Sequence, residues 1–262
     1  MPPGSVPADD TLAAWLTCAL LLALRLGPLV LIAPWLAAGY APRLVQVAIT
    51  ACLVVCMLPV AATPEALALP SGALSLALLG VRELLIGLVL GVSLAVPVLA
   101  VRWAGELIGI GFGGSYTQEQ PSESPLASLH GLFAAALFVG LGGHRLAIAA
   151  IASSLEAVPL ATLALPQNST AIATGSALLL GQAIATAVLI ALPALIALAL
   201  SDALLAWFAR VSSVAFLPDL AGTTRAVAAL AVVWMGLAAL VGSLPGWLDG
   251  ALTQALKLWS TP

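Results

Sequence analysis

The chain has 262 residues, of which 62% are hydrophobic and 7% charged, with a mean hydropathy of +1.16. A soluble domain carries about 25% charged residues, so this chain has too few polar side chains to coat a water-facing particle and reads as an integral membrane or membrane-complex subunit. A net charge of −3 is too small to argue for nucleic acid or an acidic substrate.

The apolar residues are mostly Ala, Leu, Val and Ile in long unbroken runs. Barrel strands alternate apolar and polar positions, and these runs do not. The expected class is therefore all-α, because hydrocarbon obliges each segment to satisfy its own backbone. The first apolar run covers roughly residues 12–34, with breaks expected at Pro28 and Pro34. No Lys or Arg precedes Arg25, whereas a cleaved signal wants a basic start, so this run is expected to be retained. A turn over 37–42 leads to Arg43 and a second run over roughly 44–62. Cys18, Cys52 and Cys56 lie inside these runs and read as small buried hydrophobes, with no disulfide or metal spacing.

A loop over 62–72 carries Pro64, Pro70 and Gly72. The third run, roughly 74–101, contains Arg82-Glu83 and Pro97. A short Gly-rich helix over 102–116 is expected next, then the most polar stretch in the chain, 117–125. Further runs cover roughly 126–141 and 146–161, joined by a turn at 142–145. A loop over 166–170 precedes a long run at 171–200 that should kink at Pro193. Asp202 and Arg210 bracket Trp207-Phe208. The last long run is expected over roughly 226–244, with a mildly amphipathic tail beyond. Arg43 and the acidic 62–73 loop place the first turn on the cytoplasmic side.

The charges inside these runs need partners. A central Arg costs about 2.5–3.5 kcal/mol on the insertion scale and each Leu or Ile returns about 0.3–0.6, so Arg25 permits insertion but must face protein or water. Arg82-Glu83 either snorkels to the interface or is buried between helices. Arg102 and Glu106, at i and i+4, share one helix face. They read as a self-neutralised pair, or as charges along a conduction path. Asp202 is a further charge within an apolar region.

Glycines recur every four residues, at Gly87 and Gly91 and again at Gly105, Gly109 and Gly113. Small residues at this spacing let two backbones approach closely. The second series runs into Gly113-Gly114, which frees the backbone from the helix. Non-helical backbone at membrane depth must be buried in protein or line a cavity, so this break reads as a re-entrant or constriction loop. His130 and His144 stand apart from any carboxylate and read as structural. No Walker, zincin or nucleophile-elbow pattern is present, and neither an enzyme nor a cofactor is expected.

Four stretches resemble the FliR/SctT family, the export-gate subunit of flagellar and injectisome type III secretion systems. They are Arg25 through Leu58, with Ala33-Pro34 and Pro42-Arg43; Glu83-Leu-Leu-Ile-Gly87 with Gly91; Val101-Arg102 and Ala104-Gly-Glu-Leu-Ile-Gly109 through Gly113 and Ser115; and a weaker series of Gly143-His144, Leu155 through Pro159, Ala191-Leu-Pro193 and Arg210. The pattern departs from the family where an Asp-Pro usually closes the loop, since Gln120-Pro121 lies there instead. It departs again at Asp202, which stands where the family has Asn, and at Val211-Ser-Ser-Val214.

The resemblance implies a single subunit over 1–262. N-terminal helices occupy 12–116, a Gly-rich plug loop 110–125 and C-terminal helical hairpins 126–262, with long kinked helices throughout. It implies a place in the bacterial inner membrane beside FliP/SctR-type and FliQ/SctS-type subunits and an FlhB/SctU-type switch protein. The assembly would pass unfolded export substrates, and Ile110, Phe112, Gly113, Gly114 and Tyr116 would form the plug. The alternative reading is a stand-alone proton-coupled secondary transporter using Glu83, Glu106 or Asp202.

Overall fold

The computed structural model describes residues 8–33, 41–63, 72–111, 124–160 and 169–211, with scattered helical positions between 223 and 257. All elements among the described residues are helices: α1 (Ala8–Ile32), α2 (Arg43–Ala61), α3 (Ala73–Gly111), α4 (Pro125–Gly140), α5 (Gly143–Ala157) and α6 (Ser169–Val211). The fold is all-α, with several helices long and apolar enough to cross a membrane. Leu12–Ile32, Arg43–Ala61, Ala73–Gly111 and Ile172–Phe208 each qualify alone, and α4 with α5 makes at most one broken span.

Three boundaries differ from the expected ones. α1 continues through Pro28 to Ile32. Proline removes one backbone donor and crowds the preceding turn, but neighbouring helices compensate for this in apolar surroundings. The third run and the short Gly-rich helix are one helix of 39 residues that passes through Pro97. The glycines at 105 and 109 do not end it, because a glycine interior to a helix costs only about 1 kcal/mol. α6 is 43 residues long and carries Asp202 and Arg210 inside it, not in a connection.

The chain contacts resolve into two compact units that interleave in sequence. The first comprises 1–96, 142–180 and 251–262; the second comprises 97–141 and 181–250. α3 passes from the first unit to the second at Pro97, and α6 does so after Leu180. The turn between α4 and α5 uses Gly142 at φ +79°, a left-handed conformation that glycine adopts without penalty.

In the first unit α1 packs against α2, which also touches α5. Only 11% of the apolar window of α2 is buried, so α2 is peripheral. This corrects the expectation for two cysteines. Cys18 on α1 is buried, whereas Cys52 and Cys56 lie on the exposed face of α2, which has too few neighbours to cover them. In the second unit Ala104 and Ile108 of α3 pack with Ala187, Ala191 and Ala194 of α6 and with Val233. The alanine stripe on α6 is a small-residue face of the kind that lets helices pack closely in apolar surroundings.

Candidate functional site

The first unit is built around buried charge. Arg25, Arg82 and Glu83 are 0%, 6% and 0% exposed. The Arg25 side chain reaches from α1 to α3, where Nε donates to Glu83 Oε2 at 2.5 Å. Its two remaining nitrogens turn to the end of α5: Nη1 donates to the Ser154 carbonyl at 3.1 Å and Nη2 to the Val158 carbonyl at 2.8 Å. Arg82 Nη1 donates to Glu83 Oε1 at 3.1 Å and to the Pro159 carbonyl at 3.3 Å.

The cluster carries two cations and one anion, so its side chains alone leave one positive charge. The three carbonyls supply the counterweight. They lie at and just beyond the C-terminus of α5, where a helix leaves carbonyls without intrahelical donors and presents the negative end of its dipole. Val158 N–H closes back on the Ser154 carbonyl at 3.1 Å, so that oxygen serves both the helix cap and Arg25. The arrangement does no evident bond-making chemistry. It ties α1, α3 and the end of α5 together through groups that would be costly to bury apart.

Glycine sets how close α1 and α3 come. A Cβ at Gly87 would collide with the Arg25 carbonyl oxygen and lie 2.8 Å from its carbonyl carbon. At Gly91 it would lie 3.0 Å from Leu29 Cα and 3.3 Å from the Pro28 carbonyl oxygen. Glu83, Gly87 and Gly91 follow one another at i+4 and so occupy one face of α3. The same face therefore delivers the carboxylate and removes the bulk that would hold Arg25 away.

The second unit repeats the device between α3 and α4. A Cβ at Gly105 would meet the Leu126 carbonyl oxygen at 2.5 Å and Ala127 Cα at 2.9 Å. At Gly109 it would collide with Ser124 Oγ and lie 2.9 Å from Ser124 Cβ. At Gly111 it would meet Leu195 Cδ2 of α6 at 2.6 Å. The two ends of the 112–123 connection are thus held side by side.

Of the residues expected at a plug, Ile110 is 51% exposed at the end of α3, while Phe112, Gly113, Gly114 and Tyr116 lie outside the described residues. Arg102 and Glu106 are half-buried. Asp202, expected among the buried charges, is exposed. The buried stripe of α6, at Ala183, Ala187, Ala191, Ala194 and Leu198, ends one turn before it. His130 is buried with Nδ1 at 2.8 Å from the Leu126 carbonyl, within its own helix, and His144 is exposed.

Sequence reasoning found the charges but left the role of Arg82-Glu83 open and did not find their acceptors. The pairing of Glu83 with Arg25 was not found either; the signal that could have given it is that Glu83 is the one acidic residue of the third run. The carbonyls of Ser154, Val158 and Pro159 carry no side-chain signal. A family model described as bacterial export proteins, family 1, matches residues 16–250. No curated protein matches the chain.

Proposed function

The chain belongs to the bacterial export proteins, family 1, the FliR/SctT family, and from that membership we propose that it is the core export-gate subunit of a type III protein secretion apparatus. As a family member it is a membrane-embedded component of a bacterial export apparatus that works with other subunits. In the proposed reading it joins FliP/SctR-type and FliQ/SctS-type subunits and an FlhB/SctU-type switch protein in the inner membrane. Together they enclose a pore for unfolded substrates. The segment 110–125 closes that pore, and the protein acts without catalysis.

The observation that carries the plug assignment is the clasp at the base of that segment. Gly105 and Gly109 admit the start of α4 to backbone contact with α3, so the twelve-residue connection leaves and re-enters the fold at one place. Apolar residues in a segment anchored at both ends in this way can close a channel by excluding water. The transporter reading loses one of its three candidate carriers, Glu83. Both carboxylate oxygens of Glu83 are taken by guanidinium donors and the side chain is fully buried, so it has no water from which to exchange a proton.

The test is the closed-state conductance of the assembled gate. Replacing Phe112 and Tyr116 together by Ala, or deleting within 110–116, should raise ion leak several-fold. An unchanged conductance in a gate that still assembles would remove the plug assignment.

A further inference from the structure

We propose that the groove between α1 and α2 seats an acyl chain of an anionic phospholipid, with the lipid phosphate held at Arg43. The groove encloses about 680 Å³ and is lined by Leu16, Leu20, Gly27 and Leu31 on α1 and by Val47, Val54 and Val55 on α2, among others. Among the described residues its polar lining lies in the first two turns of α2, at Arg43, Gln46 and Thr50. These follow the i, i+3, i+7 spacing of one helix face. The Thr50 hydroxyl is turned onto its own helix, donating to the Gln46 carbonyl at 2.9 Å, so the wall beyond it is apolar. The groove therefore has one cationic end and one hydrocarbon end.

The lining holds one cation and no acidic residue, so the complementary headgroup is an anion. The start of α2 adds to this. Its cap is Pro42, which makes no side-chain bond to the first turn; the Pro42 carbonyl takes the Val45 and Gln46 N–H groups, so the N–H groups of Arg43 and Leu44 are those a phosphate at a helix N-terminus would meet. From Arg43 to Val55 the groove follows α2 for about 18 Å at 1.5 Å per residue. One leaflet of hydrocarbon is about 15 Å deep, half of the roughly 30 Å core.

Gly27 is the second mark of an occupant. A Cβ at Gly87 or Gly91 would strike protein, but a Cβ at Gly27 would meet nothing within 4 Å. Among the described residues none packs against this glycine, and within a helix it costs about 1 kcal/mol relative to Ala. What its missing side chain does is deepen the groove.

The full chain is placed in phosphatidylcholine nanodiscs doped with a small fraction of a photoactivatable-acyl phospholipid, either phosphatidylglycerol or phosphatidylcholine. Labelled peptides are mapped by mass spectrometry. The anionic probe should label residues 16–31 and 43–55 several-fold more than the zwitterionic probe. Arg43→Gln should abolish that preference, and Gly27→Leu, whose side chain enters open space, should reduce labelling of the groove by both probes. Thermal unfolding of each variant shows that it has kept the fold.

Equal labelling of the groove by both probes in the unaltered chain would mean bulk bilayer contact and would overturn the proposal. So would a preference that survives Arg43→Gln. A third overturning result is loss of groove labelling in the co-expressed gate together with a protein crosslink from the groove to another subunit. The readout is lipid labelling, not secretion or leak, so it stands or falls separately from the plug.

Discussion

At the residue scale the informative unit is Glu83 with two arginines. Burying an isolated charge costs several kcal/mol even after relaxation, and the attraction between partners repays this only when the remaining donors and acceptors are satisfied. Here Arg25 makes three bonds, one to the carboxylate and two to carbonyls at the end of α5. Removing the carboxylate strands two guanidiniums inside the unit. Glu83→Gln should therefore destabilise the chain by about 3–5 kcal/mol, read as a shift in denaturant unfolding in detergent. Arg25→Met should cost a similar amount, since it leaves Glu83 with Arg82 and takes one donor each from the carbonyls of Ser154 and Val158. The double variant Arg25→Met with Glu83→Leu should be less destabilised than the sum of the single changes, because an apolar pair needs no partner. Strict additivity in that cycle would mean that the two side chains are not coupled as the geometry has them.

At the scale of elements, α3 is organised by what it lacks. Gly87 and Gly91 admit α1, while Gly105 and Gly109 admit the start of α4. Periodicity made this face legible in the sequence, because glycines at i and i+4 must share a side of the helix. The neighbour each one admits was not legible, since a missing side chain says nothing about the backbone that fills its place. The helix limits were misread for a related reason: Pro28 was taken as a break and the Gly-rich stretch from 102 as a separate helix, yet α1 runs through Pro28 and α3 continues to Gly111. Propensities measured in water overstate the penalty where neighbouring helices repair it. The glycines should then separate into two classes. Gly87→Ala places a methyl group against the Arg25 carbonyl and should cost about 1–3 kcal/mol through overpacking. Gly181→Ala, in α6 with nothing within 4 Å, should stabilise by up to about 1 kcal/mol through helix propensity. Thermal unfolding of the two variants checks the opposite signs.

At the scale of the molecule, composition fixed the class and the apolar runs exposed Arg25, Arg82 and Glu83 as charges in need of partners without pairing Arg25 with Glu83, and nothing local in the sequence announced two interleaved units. That division depends on where long helices pass from one set of neighbours to another, at Pro97 and after Leu180, and no single side chain encodes it. The long helices also bear on the surroundings. The apolar stretch Ile172–Phe208 is 37 residues, or about 55 Å at 1.5 Å per residue. A core of about 30 Å crossed at a 40° tilt accommodates about 39 Å of helix, so some 16 Å of apolar helix falls outside hydrocarbon. At its far end Leu200, Leu204, Trp207 and Phe208 are all exposed in the single chain, Leu204 at 57%. Apolar side chains beyond the bilayer are covered by protein or left in water, and exposed contiguous patches of that kind mark interaction sites. In a gate assembled with FliP/SctR-type and FliQ/SctS-type subunits, a photocrosslinking residue at Leu204 should join this chain to one of them. The same residue at Leu178, near the other end of the helix and 67% exposed, provides the internal comparison. Crosslinks from Leu204 to lipid alone, in a complex that has assembled, would mean that the helix is not raised beyond the bilayer and that its excess length is taken up by tilt or local thickening of the membrane.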